Sequence, residues 1–101
     1  LNDRGEWLRV PCAQEGGEEG ATLVCLVGDM VEVMTNGELR ATRHRVARPD
    51  TERMSIVRFN GMRNGAVASP QEPFLSRRGG PKYAPVTQGD HLRRSAEQAE
   101  R

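Results

Sequence analysis

The sequence predicts an all-β protein, built as a sandwich or a barrel. Short apolar segments recur along the first 60 residues, and turn sequences rich in Gly, Asn, Asp and Pro separate them. Leu, Val, Ile and Phe together supply only 19 of the 101 residues, and the mean hydropathy is −0.69. Because a chain of this length buries a limited share of its surface, we expect a core too small to stand alone.

The composition argues against several classes of protein. The longest apolar run, residues 23–27, is five residues long, whereas a membrane span needs about 20, so we expect no membrane partner. The first residues lack the charged and apolar regions of a signal peptide. Cys12 and Cys25 are too far apart for a CxxC motif. This favours reduced thiols in a cytoplasmic protein, with a single disulfide as the alternative.

The first part of the chain predicts two strands and a loop. Residues 7–10 form a short strand that Pro11 ends, because proline cannot donate a ladder hydrogen bond. Residues 13–20 are acidic and rich in glycine, which is typical of a loop. Residues 21–27 predict a strand with apolar residues on both faces, which implies burial from both sides.

A reversal and two further strands follow. Residues 30–35 are short and apolar and predict either a helical turn or a bend. Asn36-Gly37 then marks a tight reversal, because both residue types tolerate positive φ. Residues 40–47 and 52–60 predict two strands, and residues 48–51 between them have the Pro-Asp pair of a turn.

The last part of the chain is less regular. Residues 61–89 lose the strand periodicity and hold several prolines and glycines, which predicts an extended segment that wraps over other elements. Asp90 is predicted to cap a short final helix over residues 91–101. The apolar face of that helix is limited to Leu92, Ala96 and Ala99.

The candidate functional residues lie on the last two predicted strands. Side chains alternate across a strand, so His44 lies on one face of the first strand with small or apolar neighbours. One face of the second strand carries Arg53, Ser55 and Phe59. Because the turn between the strands is short, we expect them to be neighbours, which would place His44 in one cavity with Arg53 and Ser55.

These residue types suit the binding of a metal and a carboxylate. A guanidinium can donate two parallel hydrogen bonds to a carboxylate and a hydroxyl a third, so Arg53 and Ser55 form a candidate receptor. His44 offers an imidazole ligand for a metal, and Phe59 a flat apolar surface for a substrate. A structural interpretation is also open for each, with Arg53 paired to a surface carboxylate and Phe59 in the core. From spacing alone, the structural interpretation ranks higher.

Four short motifs change that ranking. Gly28-Asp29, Thr35-Asn36-Gly37, His44-Arg45-Val46 and Arg53-Met54-Ser55 occur in this order along the chain. The run resembles the C-terminal half of the iron(II)- and 2-oxoglutarate-dependent dioxygenases, in the isopenicillin N synthase-like branch. The resemblance covers roughly residues 1–90. No single motif is specific, but four in register make a strong signal.

The resemblance implies a fold and a set of roles. Residues 1–60 would be part of a double-stranded β-helix, or jelly-roll, barrel, and residues 61–101 a Pro-rich wrapping segment with a short C-terminal helix. His44 matches the distal histidine of the iron site. Arg53 and Ser55 match the pair that holds 2-oxoglutarate, and Phe59 falls where some members place an aromatic ring against the substrate. The expected cofactor is Fe(II), with 2-oxoglutarate as cosubstrate and a small organic molecule and O2 as the other reactants.

The chain also departs from the family pattern. The residues before the histidine are Ala41-Thr42-Arg43, which places a charge where an apolar residue is common in the family. The chain also contains no His-x-Asp, the motif of the first two iron ligands. We therefore expect a truncated chain that is inactive by itself, whose missing partner is the N-terminal half of the same domain.

Two non-enzymatic interpretations stay open. One is a jelly-roll relative that only binds a partner. The other is a binding module built on the clustered Arg40, Arg43, Arg45 and Arg48. A net charge of +1 and an aromatic content of 4% argue against nucleic acid as the ligand.

Overall fold

A computed structural model describes residues 1–10, 23–48, 50, 52 and 54–99. Within these residues, two short strands form a two-stranded antiparallel sheet, in which Val67 lies opposite Thr87 and Ala68 opposite Val86. Three helices accompany this sheet. In chain order the elements are α1 (Asp29–Met34), β1 (Val67–Ala68), α2 (Phe74–Arg77), β2 (Val86–Thr87) and α3 (Gln88–Ala99).

The segment after the Gly28-Asp29 pair is a helix that ends in a tight reversal. The Thr35 hydroxyl donates to the carbonyl of Val31 at 2.8 Å and accepts from the backbone N–H of Leu39 at 3.1 Å. Asn36 has φ +51° and Gly37 has φ +79°. The predicted reversal is therefore confirmed, and of the two predictions for residues 30–35 the helical one is correct.

The buried part of the described chain is small and mostly polar. The buried residues lie where the reversal meets the two-stranded sheet; they are Thr35, Asn36, Gly37, Ala68 and Gln88. Asn36 is fully buried, at 0% exposure. Because so few apolar side chains are covered, hydrogen bonds carry much of the long-range order in this part of the molecule.

The paired strands lie elsewhere than the sequence predicted. Within the described residues, segments 7–10, 23–27, 40–47 and 54–60 join no sheet. The two paired strands lie instead in residues 61–89, the segment predicted to wrap over other elements. One backbone hydrogen bond, from Thr42 N–H to the Val27 carbonyl at 2.9 Å, links two of these segments. A strand needs a neighbour to accept its ladder of hydrogen bonds, and a single bond does not supply one. The all-β jelly-roll fold therefore stays a prediction.

Two predicted features fall outside the described residues. The acidic loop at 13–20 is one, and the turn at 48–51 is described only at its Arg48 and Asp50 positions. Cys12 also lies outside them, whereas Cys25 is an exposed free thiol. None of the described helices has the length and apolar character needed to cross a membrane.

The final helix begins earlier than predicted, and its cap is a different residue. Thr87, not Asp90, precedes the helix, which starts at Gln88. The Thr87 hydroxyl accepts from the Asp90 backbone N–H at 3.0 Å and donates to the Asp90 carboxylate at 2.7 Å. The prediction of Asp90 as the cap was wrong because Asp90 occupies the third helical position of a capping box. His91 joins this helix to α1, with its Nε2 3.1 Å from an Asp29 carboxylate oxygen.

The capping box gives a first testable prediction. Thr87→Ala should lower the free energy of unfolding by about 1 kcal/mol, the usual cost of losing a Ser or Thr cap. Urea denaturation followed by circular dichroism measures this loss. Ser95→Ala, on the exposed middle of the same helix, is the control and should change stability by less than about 0.5 kcal/mol. Equal midpoints for the two variants would contradict the assigned cap.

Candidate functional site

The imidazole of His44 has a defined hydrogen-bonding state. Its Nδ1 lies 2.8 Å from the backbone carbonyl oxygen of Thr42. A carbonyl oxygen only accepts hydrogen bonds, so this geometry places a proton on Nδ1, and in the neutral imidazole the lone pair is then on Nε2. Metal-binding histidines commonly have this arrangement, in which one ring nitrogen donates to a carbonyl and the other faces the metal. The side chain is exposed, so Nε2 is accessible.

The backbone that leads to His44 is anchored at two consecutive residues. The N–H of Ala41 donates to the Glu32 carboxylate at 2.5 Å, and the N–H of Thr42 donates to the Val27 carbonyl at 2.9 Å. Ala41 and Thr42 are half-buried, whereas the following residues are exposed. The His44 segment, defined as residues 41–48, is therefore fixed at its start, and further along it Arg45 stacks on the ring of Trp7.

Glu32 links this segment to a distant tyrosine. The Tyr83 hydroxyl donates to the second Glu32 oxygen at 2.5 Å. This hydrogen bond is the main cause of a lowered Glu32 pKa, and the Ala41 N–H adds to the effect while burial opposes it. The same bond raises the pKa of Tyr83, because only the protonated hydroxyl can donate it, and burial adds to the effect. Glu32 is therefore ionised and Tyr83 protonated at neutral pH.

The predicted carboxylate receptor is described only in part. Arg53 lies outside the described residues. Ser55 is exposed, and so is Phe59, which has 90% of its surface accessible. Within the described part of the chain, no hydrogen bond joins Ser55 to His44. The predicted cavity shared by His44, Arg53 and Ser55 therefore stays a prediction.

The described residues supply one candidate metal ligand rather than a full site. Among them, no three His, Cys, Asp or Glu side chains lie close enough together to hold a metal ion. His44 fits the chemistry of an iron ligand, because its Nε2 lone pair faces outward. The two further protein ligands of a family iron site have no counterpart in the 101 residues, which contain no His-x-Asp.

Comparison with known proteins decides the family. Residues 1–61 match the family described as the 2OG-Fe(II) oxygenase superfamily. The chain belongs to this superfamily. The resemblance seen in the short motifs is therefore confirmed, and so is the class of enzyme to which the chain is related. The superfamily uses Fe(II) and 2-oxoglutarate.

Three relatives show how much of such proteins the chain spans. It is 33% identical over 92 residues to 1-aminocyclopropane-1-carboxylate oxidase 1 of Malus domestica, which covers 88% of the chain and 27% of the relative. It is 33% identical over 92 residues to mugineic-acid 3-dioxygenase of Hordeum vulgare, covering 90% of the chain and 25% of the relative. The homoarginine-6-hydroxylase of Oryza sativa subsp. japonica is 34% identical over 93 residues, with 90% and 26% covered. The chain thus spans about a quarter of the length of these curated relatives. No solved structure matches it.

The sequence interpretation missed Glu32, Tyr83 and the burial of Asn36. A signal for Glu32 was present, because it is the single charged residue in the apolar run of residues 30–35. A carboxylate in such a run either faces solvent or needs a partner. Tyr83 is the single tyrosine of the chain. Nothing in its local sequence identifies a partner 51 residues away.

Proposed function

We propose that these residues belong to an oxygenase domain that couples oxidative decarboxylation of 2-oxoglutarate to the oxidation of a small organic substrate by O2. Hydroxylation and desaturation are both open as the outcome. The observation that carries the proposal is the hydrogen bond from His44 Nδ1 to the Thr42 carbonyl in a chain of this superfamily. In the neutral imidazole this bond leaves the Nε2 lone pair of an exposed side chain for a metal. Mononuclear iron, when bound, supplies the activation of O2, and the protein positions the reactants.

The residues of this chain would have three roles. His44 would hold the iron through Nε2. Arg53 would donate two parallel hydrogen bonds to the distal carboxylate of 2-oxoglutarate, and the Ser55 hydroxyl would donate a third. Phe59 would present its ring to the apolar part of the substrate.

Exposed apolar side chains support the jelly-roll fold as part of the proposal. Leu23, Met54, Ile56 and Phe59 are each at least 86% exposed. Exposed apolar residues at this density normally lie under another element. In the proposed domain, further strands of the same barrel would pair with segments 23–27 and 54–59 and cover these side chains.

The chain by itself is expected to be inactive. One histidine is a weak iron site compared with a complete set of three protein ligands, so the 101-residue chain should retain substoichiometric iron after anaerobic loading with Fe(II). Metal analysis after gel filtration, together with an assay for succinate formed from 2-oxoglutarate, measures both properties. Stoichiometric iron with turnover of 2-oxoglutarate would overturn this expectation.

The coding sequence that precedes the codon for Leu1 tests the proposed domain. An in-frame His-x-Asp there would supply the two other protein ligands, and the longer protein could then be assayed directly. In it, His44→Gln should abolish iron binding. Arg53→Ala should retain iron and raise the Michaelis constant for 2-oxoglutarate at least tenfold, because a charge-assisted hydrogen bond is worth about 1.5–3 kcal/mol. An unchanged Michaelis constant would remove the receptor role of Arg53.

The alternative of an Arg-rich binding module receives less support. The guanidinium of Arg45 stacks on the ring of Trp7, 4.2 Å from its centroid. Stacking uses the face of the guanidinium and not the in-plane N–H groups that bind phosphate, so the main argument against this alternative is the net charge of +1. An in-frame start codon without a His-x-Asp would move the non-catalytic interpretations ahead.

A further inference from the structure

Glu32 connects two parts of the chain that are far apart in sequence. One carboxylate oxygen accepts from the Ala41 N–H and the other from the Tyr83 hydroxyl, both at 2.5 Å. Ala41 begins the His44 segment, and Tyr83 lies in the Tyr83 loop, defined here as residues 80–83. A carboxylate accepts through both oxygens, so a single side chain can hold both parts at once.

The contact at Ala41 holds the chain immediately before the carbonyl that orients His44. The next residue, Thr42, is itself anchored through its N–H to Val27, and its carbonyl accepts from His44 Nδ1 at 2.8 Å. The bonded N–H groups of Ala41 and Thr42 hold the two peptide planes that precede this carbonyl, so rotation about the Thr42 Cα–C bond is the remaining way to move it. The Glu32 contact therefore contributes to the position of the carbonyl to which His44 is bonded.

The other end of the connection is independently held. The Tyr83 loop is bound to Asn36, whose amide donates to the Gly80 carbonyl at 3.0 Å and accepts from the Lys82 N–H at 2.7 Å. The loop also packs closely on Gly37, where an added Cβ would lie 3.2 Å from the Tyr83 hydroxyl oxygen. Tyr83 therefore presents a fixed donor to Glu32.

We propose that Glu32 is a positioning residue that couples the Tyr83 loop to the orientation and tautomer of His44. In this arrangement the C-terminal part of the chain controls which His44 nitrogen carries the lone pair. The importance of this coupling for catalysis rests on the proposed function, in which His44 binds iron. The coupling itself is a property of the chain alone and is measurable without metal or turnover.

Nitrogen-15 NMR of the imidazole rings in the 101-residue chain tests the coupling. The chain has two histidines, and a spectrum of His91→Gln assigns the signals. The wild-type chain should show His44 mainly as the Nδ1–H tautomer. Glu32→Ala should shift the tautomer ratio toward Nε2–H by roughly two- to tenfold, the range expected for the loss of one net hydrogen bond. Alanine suits a helix interior, so α1 itself is preserved.

Glu38→Ala is the matched control. Glu38 is also close to the reversal and also contacts the C-terminal part of the chain, through an ion pair with Arg77 at 3.1 Å. It makes no contact with the His44 segment among the described residues, so its removal should leave the tautomer ratio unchanged. A purely structural role for Glu32 would lower stability without changing the His44 ratio, and that result would overturn the proposal. An equal shift in Glu38→Ala would also overturn it.

Tyr83→Phe keeps the test decisive if Glu32→Ala fails to fold. It removes one hydroxyl and should shift the ratio in the same direction by a smaller factor, because Ala41 can still donate to Glu32. An unchanged ratio in folded Tyr83→Phe would overturn the coupling. Loss of iron binding in His44→Gln reports only on the proposed function, so the two hypotheses can fail separately.

Discussion

Asn36→Ala is expected to lower the free energy of unfolding by about 3 kcal/mol, because it removes two long-range hydrogen bonds from a fully buried position. The Asn36 amide donates to the Gly80 carbonyl and accepts from the Lys82 N–H, and its exposure is 0%. Removing the side chain leaves two backbone groups without their partner. About 1 kcal/mol of this expected loss comes from the backbone, because φ at this position is +51°, a conformation that is unfavourable for alanine.

Two further substitutions separate these contributions. Asn36→Gly removes the same hydrogen bonds but tolerates positive φ, so it should be more stable than Asn36→Ala by about 1 kcal/mol. Asn36→Asp keeps an acceptor for the Lys82 N–H and loses the donor to Gly80. It should be at least as unstable as Asn36→Ala near pH 7, because a carboxylate oxygen would face the Gly80 carbonyl oxygen in a fully buried position and both atoms only accept hydrogen bonds.

Urea denaturation of the wild type and the three variants under the same conditions measures these differences. Thr87→Ala provides an internal scale, since it is expected to cost about 1 kcal/mol. A change of less than about 0.5 kcal/mol for Asn36→Ala would place the residue outside the stabilising core.

The reversal at Asn36-Gly37 could be predicted because its cause is local. Asn and Gly tolerate positive φ, so the pair favours a tight reversal. The pair alone does not impose one, because neither residue of Asn60-Gly61 has positive φ. The role of Asn36 in the core could not be predicted in this way. Its partners lie 44 and 46 residues away, and no local pattern indicates that a polar side chain will be fully buried.

The strands illustrate the opposite limit. Period-two alternation in residues 40–47 describes which side chains share a face, but a strand also requires a neighbour for its backbone groups. The two strands that pair within the described residues, Val67–Ala68 and Val86–Thr87, have only two residues each. Segments that short carry no periodicity to detect.

For the candidate site, the motifs identified the family and His44 but not the contacts that orient the ring. The tautomer depends on the Thr42 carbonyl, and the position of that carbonyl depends on Glu32 and Val27. These are tertiary contacts. The sequence could name the candidate ligand, whereas the residues that position it required the structure.

The Glu32–Tyr83 pair is expected to make stability depend on pH in both directions. The pKa of Glu32 is lowered from its ordinary value near 4.5. The stabilisation from this group is thus complete above pH 4.5 and is lost as the pH falls through the lowered pKa. The pKa of Tyr83 is raised above 10.0, so its contribution is complete below pH 10.0 and is lost as the pH rises through the raised pKa.

Tyr83→Phe should reduce stability near pH 7 by about 1.5 kcal/mol, toward the low end for a hydrogen bond to a charged group because both residues are only half-buried. It should also make the loss of stability below pH 4.5 shallower, because the Tyr83 hydroxyl is the largest cause of the lowered Glu32 pKa. Above pH 10 the variant should lose the alkaline dependence that belongs to this tyrosine. Urea midpoints measured at pH 3, 7 and 10.5, with Glu38→Ala as the control, test all three expectations.

A double-mutant cycle then decides whether the two residues act together. If Tyr83 stabilises the chain through Glu32, the cost of Tyr83→Phe should largely disappear when Glu32 is already alanine, since the hydroxyl has lost its acceptor. Additive costs at pH 7 would mean that the hydroxyl is stabilised by something other than Glu32. A cost that falls as the pH is lowered through the Glu32 pKa, and that is also absent in the Glu32→Ala background, would identify the carboxylate as the acceptor, because protonation and substitution remove the same charge by independent routes.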